Sequence, residues 1–270
     1  MIIIGEKING TIPSVKKAIG ERDADFIMSR AVKQAQAGAS FIDVCASTSS
    51  ELEYDALVWL IGVVQSAVET PLCVDSPNEL LLKRIYEEGL VKIPGMLNSV
   101  NEEGTKCETI FPLIAGTPWQ VVGLTCDKDG IPSQSDKKVD IAKSMIDKAV
   151  KYGVDLKNFH IDPCVMALAT APGAMLDFEY CIARIKEYAP EVKITGAISN
   201  ISFDMPLRKL INQNCMALAI RAGLDSAIAD PTDRDMMGVI YAAEALSGID
   251  KSGRKFNRAF RAGKIGPKKG

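Results

Sequence analysis

Short runs of apolar residues alternate along the chain with longer segments of mixed polarity. Eight runs are short, rich in β-branched residues and bounded by glycine, proline or polar residues, as is typical of buried parallel strands. The runs lie at 2–4, 41–45, 72–75, 92–98, 120–125, 159–162, 192–198 and 226–230. This pattern predicts eight strands distributed over most of the sequence.

The segments between these runs have the spacing of amphipathic helices. The clearest apolar face consists of Ala142, Met145, Ile146, Ala149 and Val150. Gly153 and Gly223 each follow such a segment shortly before a strand, where glycine commonly ends a helix. Strand–helix alternation over 270 residues predicts an α/β fold, a (β/α)8 TIM barrel, in one domain spanning 1–270. An open doubly wound sheet is the alternative, but the residues after Gly5 do not form its glycine-rich loop.

Bulk composition narrows the class of protein further. The net charge is −2, which gives no general indication of nucleic-acid binding. The seven cysteines include no C-x-x-C pair, so reduced thiols in a cytoplasmic protein are favoured over disulfides or a zinc site. The N-terminus does not resemble a signal peptide, and no apolar run approaches the roughly 20 residues that span a bilayer. We therefore expect neither nucleic acid nor a membrane as a partner.

The last 20 residues are strongly basic. From Lys251 to Gly270 there are eight lysines or arginines and no acidic residue. This composition predicts a terminal helix with a solvated basic tail from about residue 251. A docking surface for an acidic protein is the alternative.

Nearly every predicted strand runs into polar residues at its C-terminal end, where barrel enzymes place their working groups. These residues are Glu6, Asn9, Asp43, Asp75, Asn98, Thr125, Asp127, Asp162, Asn200 and Asp230. Any one of them could form a turn or cap a helix. Their convergence without clustered cationic residues suits a neutral ligand rich in N–H donors, such as a pterin or guanine-like ring.

Other kinds of site are less well supported by the sequence. The carboxylates could hold magnesium, but the single histidine, His160, does not make a typical zinc site, and we interpret it as structural. We therefore assign no metal. No Gly-x-Ser-x-Gly motif is present, and a cysteine–histidine pair would depend on His160 alone.

Eight segments, taken in order, resemble those of a known family. They are residues 4–10, 74–76, 97–99, 123–125, 161–163, 199–202, 208–212 and 223–230. They read Ile-Gly-Glu-Lys-Ile-Asn-Gly, Val-Asp-Ser, Leu-Asn-Ser, Gly-Leu-Thr, Ile-Asp-Pro, Ser-Asn-Ile-Ser, Arg-Lys-Leu-Ile-Asn and Gly-Leu-Asp-Ser-Ala-Ile-Ala-Asp. The chain resembles the methyltetrahydrofolate:corrinoid protein methyltransferases, within the wider pterin-binding barrels that include dihydropteroate synthase.

The resemblance implies roles for particular residues. Asp75, Asn98 and Asp162 correspond to the family's pterin-holding triad. Asn200 corresponds to the asparagine beside N5 of the pterin and is the predicted catalytic residue. Further candidates around the same pocket are Asp43, Ser199 and Arg208.

The resemblance also implies an activity. A methyltransferase of this family moves a methyl group between N5 of methyltetrahydrofolate and the cobalt of a corrinoid (cobalamin) by direct in-line displacement. The chain has no D-x-H-x-x-G corrinoid-binding segment, so a separate corrinoid protein is the expected partner. Transfer towards tetrahydrofolate, as in demethylation pathways, is one of two directions that the resemblance leaves open. It also implies a homodimer.

The sequence leaves two alternative functions open. Dihydropteroate synthase usually has a Ser-x-Arg-Pro-Gly loop, whereas residues 43–48 here read Asp-Val-Cys-Ala-Ser-Thr. The last predicted strand also lacks that enzyme's Arg-x-His and ends at Asp230 and Pro231. The second alternative is a pterin-binding module without catalysis.

Overall fold

Eight parallel strands form the barrel in the computed structural model, which describes residues 1–267. The strands are β1 (Ile2–Asn9), β2 (Phe41–Cys45), β3 (Leu72–Asp75), β4 (Met96–Glu102), β5 (Gln120–Asp127), β6 (Phe159–Asp162), β7 (Lys193–Ile194) and β8 (Ser226–Ala229). Each pairs with its neighbour in chain order from β1 to β7, and β8 pairs with β1. Two backbone bonds, Asp225 N to Ile194 O (3.0 Å) and Ile228 N to Gly196 O (3.1 Å), join β8 to the β7 segment. The predicted (β/α)8 barrel is therefore confirmed.

Within residues 1–267, ten helices surround the strands. They are α1 (Pro13–Glu21), α2 (Ala24–Ala37), α3 (Ser50–Ala67), α4 (Glu79–Glu87), α5 (Lys106–Ile114), α6 (Ser135–Tyr152), α7 (Ala174–Tyr188), α8 (Arg208–Ala222), α9 (Arg234–Leu246) and α10 (Arg254–Arg261). Gly153 and Gly223 end α6 and α8 with φ of 79° and 118°, a left-handed conformation that glycine adopts without steric strain. No helix within residues 1–267 has both the length and the apolar character needed to cross a membrane.

The strand bounds differ from the prediction in several places: β1 and β5 extend further, to Asn9 and Asp127, and β8 ends one residue earlier, at Ala229. The largest differences are in β4 and β7. β4 begins at Met96 rather than at residue 92, because Pro94 lacks an N–H and Gly95 lies against the Leu72 carbonyl. A Cβ added at Gly95 would lie 2.3 Å from that oxygen. β7 is two residues long, because the chain turns into a 3-10 helix over Ile198–Ser202. That turn brings residues 199 and 200 towards the barrel mouth.

The barrel interior is built in layers by the period-2 alternation of the strands. A small apolar cluster fills its middle and is separate from the larger core between strands and helices. Its buried members are Ile4, Phe41, Cys73, Met96 and Val122. The next inward positions towards the C-terminal ends of β1, β2 and β3 are Glu6, Asp43 and Asp75.

The C-terminal segment is held against α9. The Arg234 guanidinium donates hydrogen bonds to the carbonyls of Gly263, Ile265 and Gly266. The Asp250 carboxylate accepts from the N–H groups of Lys255 and Phe256 at the start of α10. The predicted terminal helix is thus present, while residues 268–270 of the predicted basic tail lie outside the described residues.

Candidate active site

A cavity of about 500 Å³ opens at the C-terminal ends of the strands. Five of the seven predicted ligand-binding residues line it: Asp43, Asp75, Ser199, Asn200 and Arg208. Cavities of 300–1,000 Å³ with a few convergent polar groups are typical of small-molecule sites. The side chains predicted from separate strand ends therefore do meet in one place.

The other two predicted residues lie beside this cavity rather than in its wall. Asn98 is paired in register with Asp75, is 7% exposed and interacts through its side chain with the Asp43 carboxyl. Asp162 is 5% exposed, and the backbone N–H of Ala197, a residue of the cavity wall, is among the groups that oppose the rise of its pKa.

The acidic pair at the ends of β2 and β3 has unusual titration. Burial raises the pKa of Asp43 well above its usual range, and the nearby charge of Asp75 adds to the effect. Burial also raises the pKa of Asp75 to about 6, against a favourable hydrogen bond from the Cys45 thiol. Asp43 Oδ1 is buried and has no hydrogen-bond partner within the described chain. A ligand with N–H donors would provide what this pair lacks.

Asp162 is supported by a relay from α6. Its Oδ1 accepts the Cys164 N–H at 2.7 Å, and the Cys164 carbonyl accepts from Lys138 Nζ at 2.7 Å. Cys164 has φ of 55°, and this left-handed conformation turns its N–H back towards Asp162. Burial raises the pKa of Asp162 to about 6, while the Cys164 N–H and the Lys138 charge oppose the rise.

Asn200 lies on the 3-10 turn that follows β7. Arg208, at the start of α8, donates from Nε to Ser202 Oγ at 3.0 Å and from Nη2 to the Ser199 carbonyl at 3.1 Å. The same guanidinium lies 4.9 Å from the centre of the Phe203 ring. These contacts fix the turn on both sides of Asn200, so Arg208 acts here as a clamp on the turn.

Several residues of the site were not assigned roles from the sequence. Glu6, Lys7 and Asn9 of β1 line the cavity, and Lys7 Nζ lies 3.3 Å from Asp230. The inward alternation Ile2, Ile4, Glu6 was the available signal. Lys138 was also assigned no role from the sequence.

The signal for Lys138 was its position on a helix. It precedes Ala142 by four residues and so shares the apolar face of α6. A lysine on such a face is only 4% exposed here, and a buried lysine needs a specific partner.

His160 lies two residues before Asp162 on β6, on the N-terminal side of these groups, and its contacts agree with the structural role interpreted from the sequence. Its two ring nitrogens are each 2.7 Å from a partner, Ser226 Oγ and Gln120 Oε1. Burial lowers the pKa of His160 to about 3, helped by the charges of Lys193 and Lys186. The ring is therefore neutral and takes no part in the mouth. Within residues 1–267, no three His, Cys, Asp or Glu side chains are grouped to hold a metal ion.

The (β/α)8 barrel and the acceptor-rich cavity at its mouth define a barrel protein that binds a small molecule. Comparison with known proteins identifies the family. The family model described as pterin binding enzyme matches residues 5–230. The chain therefore belongs to the pterin-binding enzyme family, which confirms the resemblance drawn from the sequence.

Individual relatives refine this assignment. The chain is 52% identical over 269 residues to the methylcorrinoid:tetrahydrofolate methyltransferase of Eubacterium limosum, covering 99% of this chain and 98% of that one. It is 28% identical over 243 residues to the methionine synthase of Mycobacterium tuberculosis, covering 84% of this chain and 20% of that one. The chain thus matches the first relative end to end and about a fifth of the second.

Solved structures share the fold at low sequence identity. The dihydropteroate synthase of Yersinia pestis in a sulfonamide drug complex superposes with a TM-score of 0.68 at 12% identity, covering 92% of this chain and 94% of that one. The 7,8-dihydropteroate synthase of Vibrio fischeri gives 0.67 at 14% identity, covering 93% and 94%. These similarities support the barrel architecture alone.

Proposed function

We propose that this protein is a cobalamin-dependent methyltransferase that moves a methyl group between a corrinoid on a separate protein and N5 of tetrahydrofolate. The match to the Eubacterium limosum enzyme carries the proposal, because it covers 99% of this chain and 98% of that enzyme at 52% identity. The acceptor-rich mouth agrees with it. Among the alternatives, the dihydropteroate synthases resemble this chain at 12–14% identity, which supports no activity.

The pterin would be held by its N–H edge. Asp75 and Asp162, when ionised, can each accept hydrogen bonds from adjacent N–H groups, and Asn98 can both donate and accept. The Asp43 Oδ1 atom, which has no partner within residues 1–267, offers a further acceptor on the strand next to Asp75. In this arrangement Ser199 and Arg208 hold the turn at the ring's other end.

Asn200 would contact the reacting nitrogen. The corrinoid, carried by a partner protein, would supply or receive the methyl group at its cobalt. Transfer to folate would form the N5–CH3 bond and break the Co–CH3 bond, with the electron pair left on cobalt(I) and the N5 proton released. The Asn200 amide can hydrogen-bond N5 as its charge changes, which favours the transition state. An amide is no strong acid or base, so the proton exchanges with water or a wider network.

The proposal also covers the direction of methyl transfer, the oligomeric state of the protein and its location in the cell. The relative's name states transfer from methylcorrinoid to tetrahydrofolate, and we propose that direction here. The corrinoid would arrive on a partner protein at the open mouth. Residues 1–270 would act as one pterin-binding domain in a cytoplasmic homodimer, with contacts on barrel helices away from the mouth. Light scattering of the purified protein tests the dimer.

The decisive experiment follows the corrinoid spectrum. Purified protein mixed anaerobically with methylcobalamin and tetrahydrofolate should convert the methylcobalamin spectrum to that of cob(I)alamin. Photoreduced cobalamin and methyltetrahydrofolate should give the reverse change. If neither free cobalamin nor a cognate corrinoid protein shows any change, the transferase proposal fails. Tetrahydrofolate binding without turnover would instead favour a non-catalytic pterin-binding module.

A matched variant tests the role of Asn200. Asn200→Ala should slow transfer about 100-fold, the usual effect of removing one preorganised hydrogen bond at a reacting centre. Its dissociation constant for tetrahydrofolate should change much less. A variant with normal transfer would remove Asn200 from the mechanism.

A further inference from the structure

A second, basic cavity adjoins the proposed pterin cavity. It has a volume of about 210 Å³ and lies between α2, β1 and the segment after β8. Three of its lining residues are cationic: Lys7, Arg30 and Lys33. None of its lining residues is acidic. Lys7 lines both cavities, so the two are neighbours across one side chain.

The cationic groups of this cavity are only partly neutralised. Lys7 Nζ lies 3.3 Å from Asp230. Arg30 donates to two uncharged oxygens, the Lys7 carbonyl at 3.2 Å and Ser14 Oγ at 3.1 Å. Neither Arg30 nor Lys33 forms an ion pair with any residue in 1–267. The cavity therefore has a net positive charge available to an anion.

An unsatisfied donor lies in the same wall. Gln34 is fully buried, and its Oε1 accepts the Lys7 N–H at 3.0 Å. Its Nε2 has no hydrogen-bond partner in the part of the chain described. Gly5 makes room for this amide, because a Cβ there would lie 2.5 Å from Gln34 Oε1. A buried N–H without an acceptor is uncommon, and a carboxylate oxygen would satisfy it.

We infer that this cavity is a subsite for the γ-linked oligoglutamate tail of folate. The inference rests on the proposed function, which puts N5 beside Asn200. The tail is joined to C6, the ring atom bonded to N5, through a methylene and a p-aminobenzoyl group, so it leaves the ring in the cavity that Asn200 and Lys7 share and continues towards the neighbouring one. Each added glutamate contributes one more carboxylate. Lys7, Lys33 and the Gln34 amide are the groups that would receive these carboxylates.

The test compares tail lengths by isothermal titration calorimetry at low salt. The wild-type protein should bind tetrahydrofolate triglutamate about tenfold more tightly than the monoglutamate, as expected for two or three weak, partly exposed ion pairs. The advantage should shrink as salt increases. Lys33→Gln should lose most of it. Lys83→Gln, which removes an exposed charge from α4, should keep it.

The outcomes separate this inference from the proposed function. Equal affinities for the two ligands, with normal methyl transfer to the monoglutamate, would overturn the tail subsite alone. A triglutamate advantage that survives in Lys33→Gln would place the tail elsewhere and would also overturn it. Failure of both ligands to bind would reject the proposed function and the subsite together.

Discussion

The two ends of the barrel interior both bury polar side chains, but the C-terminal end leaves some of them without hydrogen-bond partners. At the N-terminal end, His160 has a partner on each ring nitrogen, Gln120 and Ser226, both at 2.7 Å. At the C-terminal end, Asp43 Oδ1 and Thr195 Oγ1 are buried without a partner among residues 1–267. The barrel therefore carries a completed network at one end and an incomplete one at the other.

This difference suggests that the polar groups at the N-terminal end stabilise the fold, whereas those at the C-terminal end serve ligand binding. A buried polar group left unpaired costs about 1–3 kcal/mol, so the completed network contributes to stability. The incomplete network destabilises the ligand-free protein, and a pterin with matching N–H donors would offset that loss. We make four predictions from this difference, in order from the largest expected effect to the smallest.

Asp75→Ala should abolish most tetrahydrofolate binding. Removal of a buried carboxylate that accepts ligand N–H groups costs about 3–4 kcal/mol, or several hundredfold in the dissociation constant. Calorimetry measures this directly. Asp127→Ala is the matched control, because Asp127 also ends a strand but pairs with Lys137 outside the cavity. Equal effects of the two substitutions would contradict the assigned role of Asp75.

His160→Ala should affect stability and leave binding intact. It leaves Gln120 and Ser226 without their shared partner and opens a cavity, so the free energy of unfolding should fall by about 3 kcal/mol. Urea unfolding measures the loss. His160→Gln, which can keep one of the two bonds, should lose less. A large change in tetrahydrofolate affinity of the folded variant would break the distinction between the two ends.

Asp162→Asn should stabilise the ligand-free protein at neutral pH while it weakens binding. The pKa of Asp162 is raised to about 6 by burial, above its unfolded value. The folded protein therefore loses stability as pH rises from about 4 to about 6, and the ionised group costs about 2–3 kcal/mol above that window. The variant should be more stable by this amount at pH 8 and nearly equal near pH 4. Urea unfolding at both pH values decides the matter, and a gain that does not depend on pH would contradict it.

Lys138→Met should produce the smallest effect, on the pH dependence of binding. Tetrahydrofolate binding should weaken as pH falls through about 6, because protonation removes acceptors from Asp75 and Asp162. Loss of the Lys138 charge raises the pKa of Asp162 further, so this weakening should begin about one pH unit higher.

Two control variants separate the charge of Lys138 from its packing. Lys138→Arg retains the positive charge and should retain much of the wild-type profile. Lys137→Met removes the adjacent exposed lysine and should leave the profile unchanged. Coincident profiles for Lys138→Met and the wild type would remove Lys138 from the support of Asp162.

Much of the site was predictable because strand alternation is a local property. In parallel strands the C-terminal ends meet at one face, so Asp43, Asp75 and Asn98 could be brought together from the sequence alone. Their register, with Cys45 opposite Asp75 and Asp75 opposite Asn98, agrees with that reasoning. The identity of the family was also carried by short segments at these ends.

Contacts between distant elements could not be read in this way. Lys138 reaches the Cys164 carbonyl 26 residues away, and Gln34 reaches the Lys7 N–H 27 residues away. Which helix side chain meets which strand end depends on how each helix packs and rotates against the sheet. The repeat of apolar residues along a helix does not determine that rotation closely enough to predict such contacts.

The sequence by itself determined the eight-stranded barrel, its acceptor-rich mouth and the choice of residues that we propose to face a pterin. Hydrophobic periodicity and the polarity of strand ends each extend over only a few residues, so both can be recognised in the sequence. Only the tertiary structure decided that β7 is short, that Arg208 clamps the turn of Asn200 and that a basic cavity adjoins the mouth. Those features arise where chain segments far apart in sequence come into contact, and their energies depend on burial that the folded state alone creates.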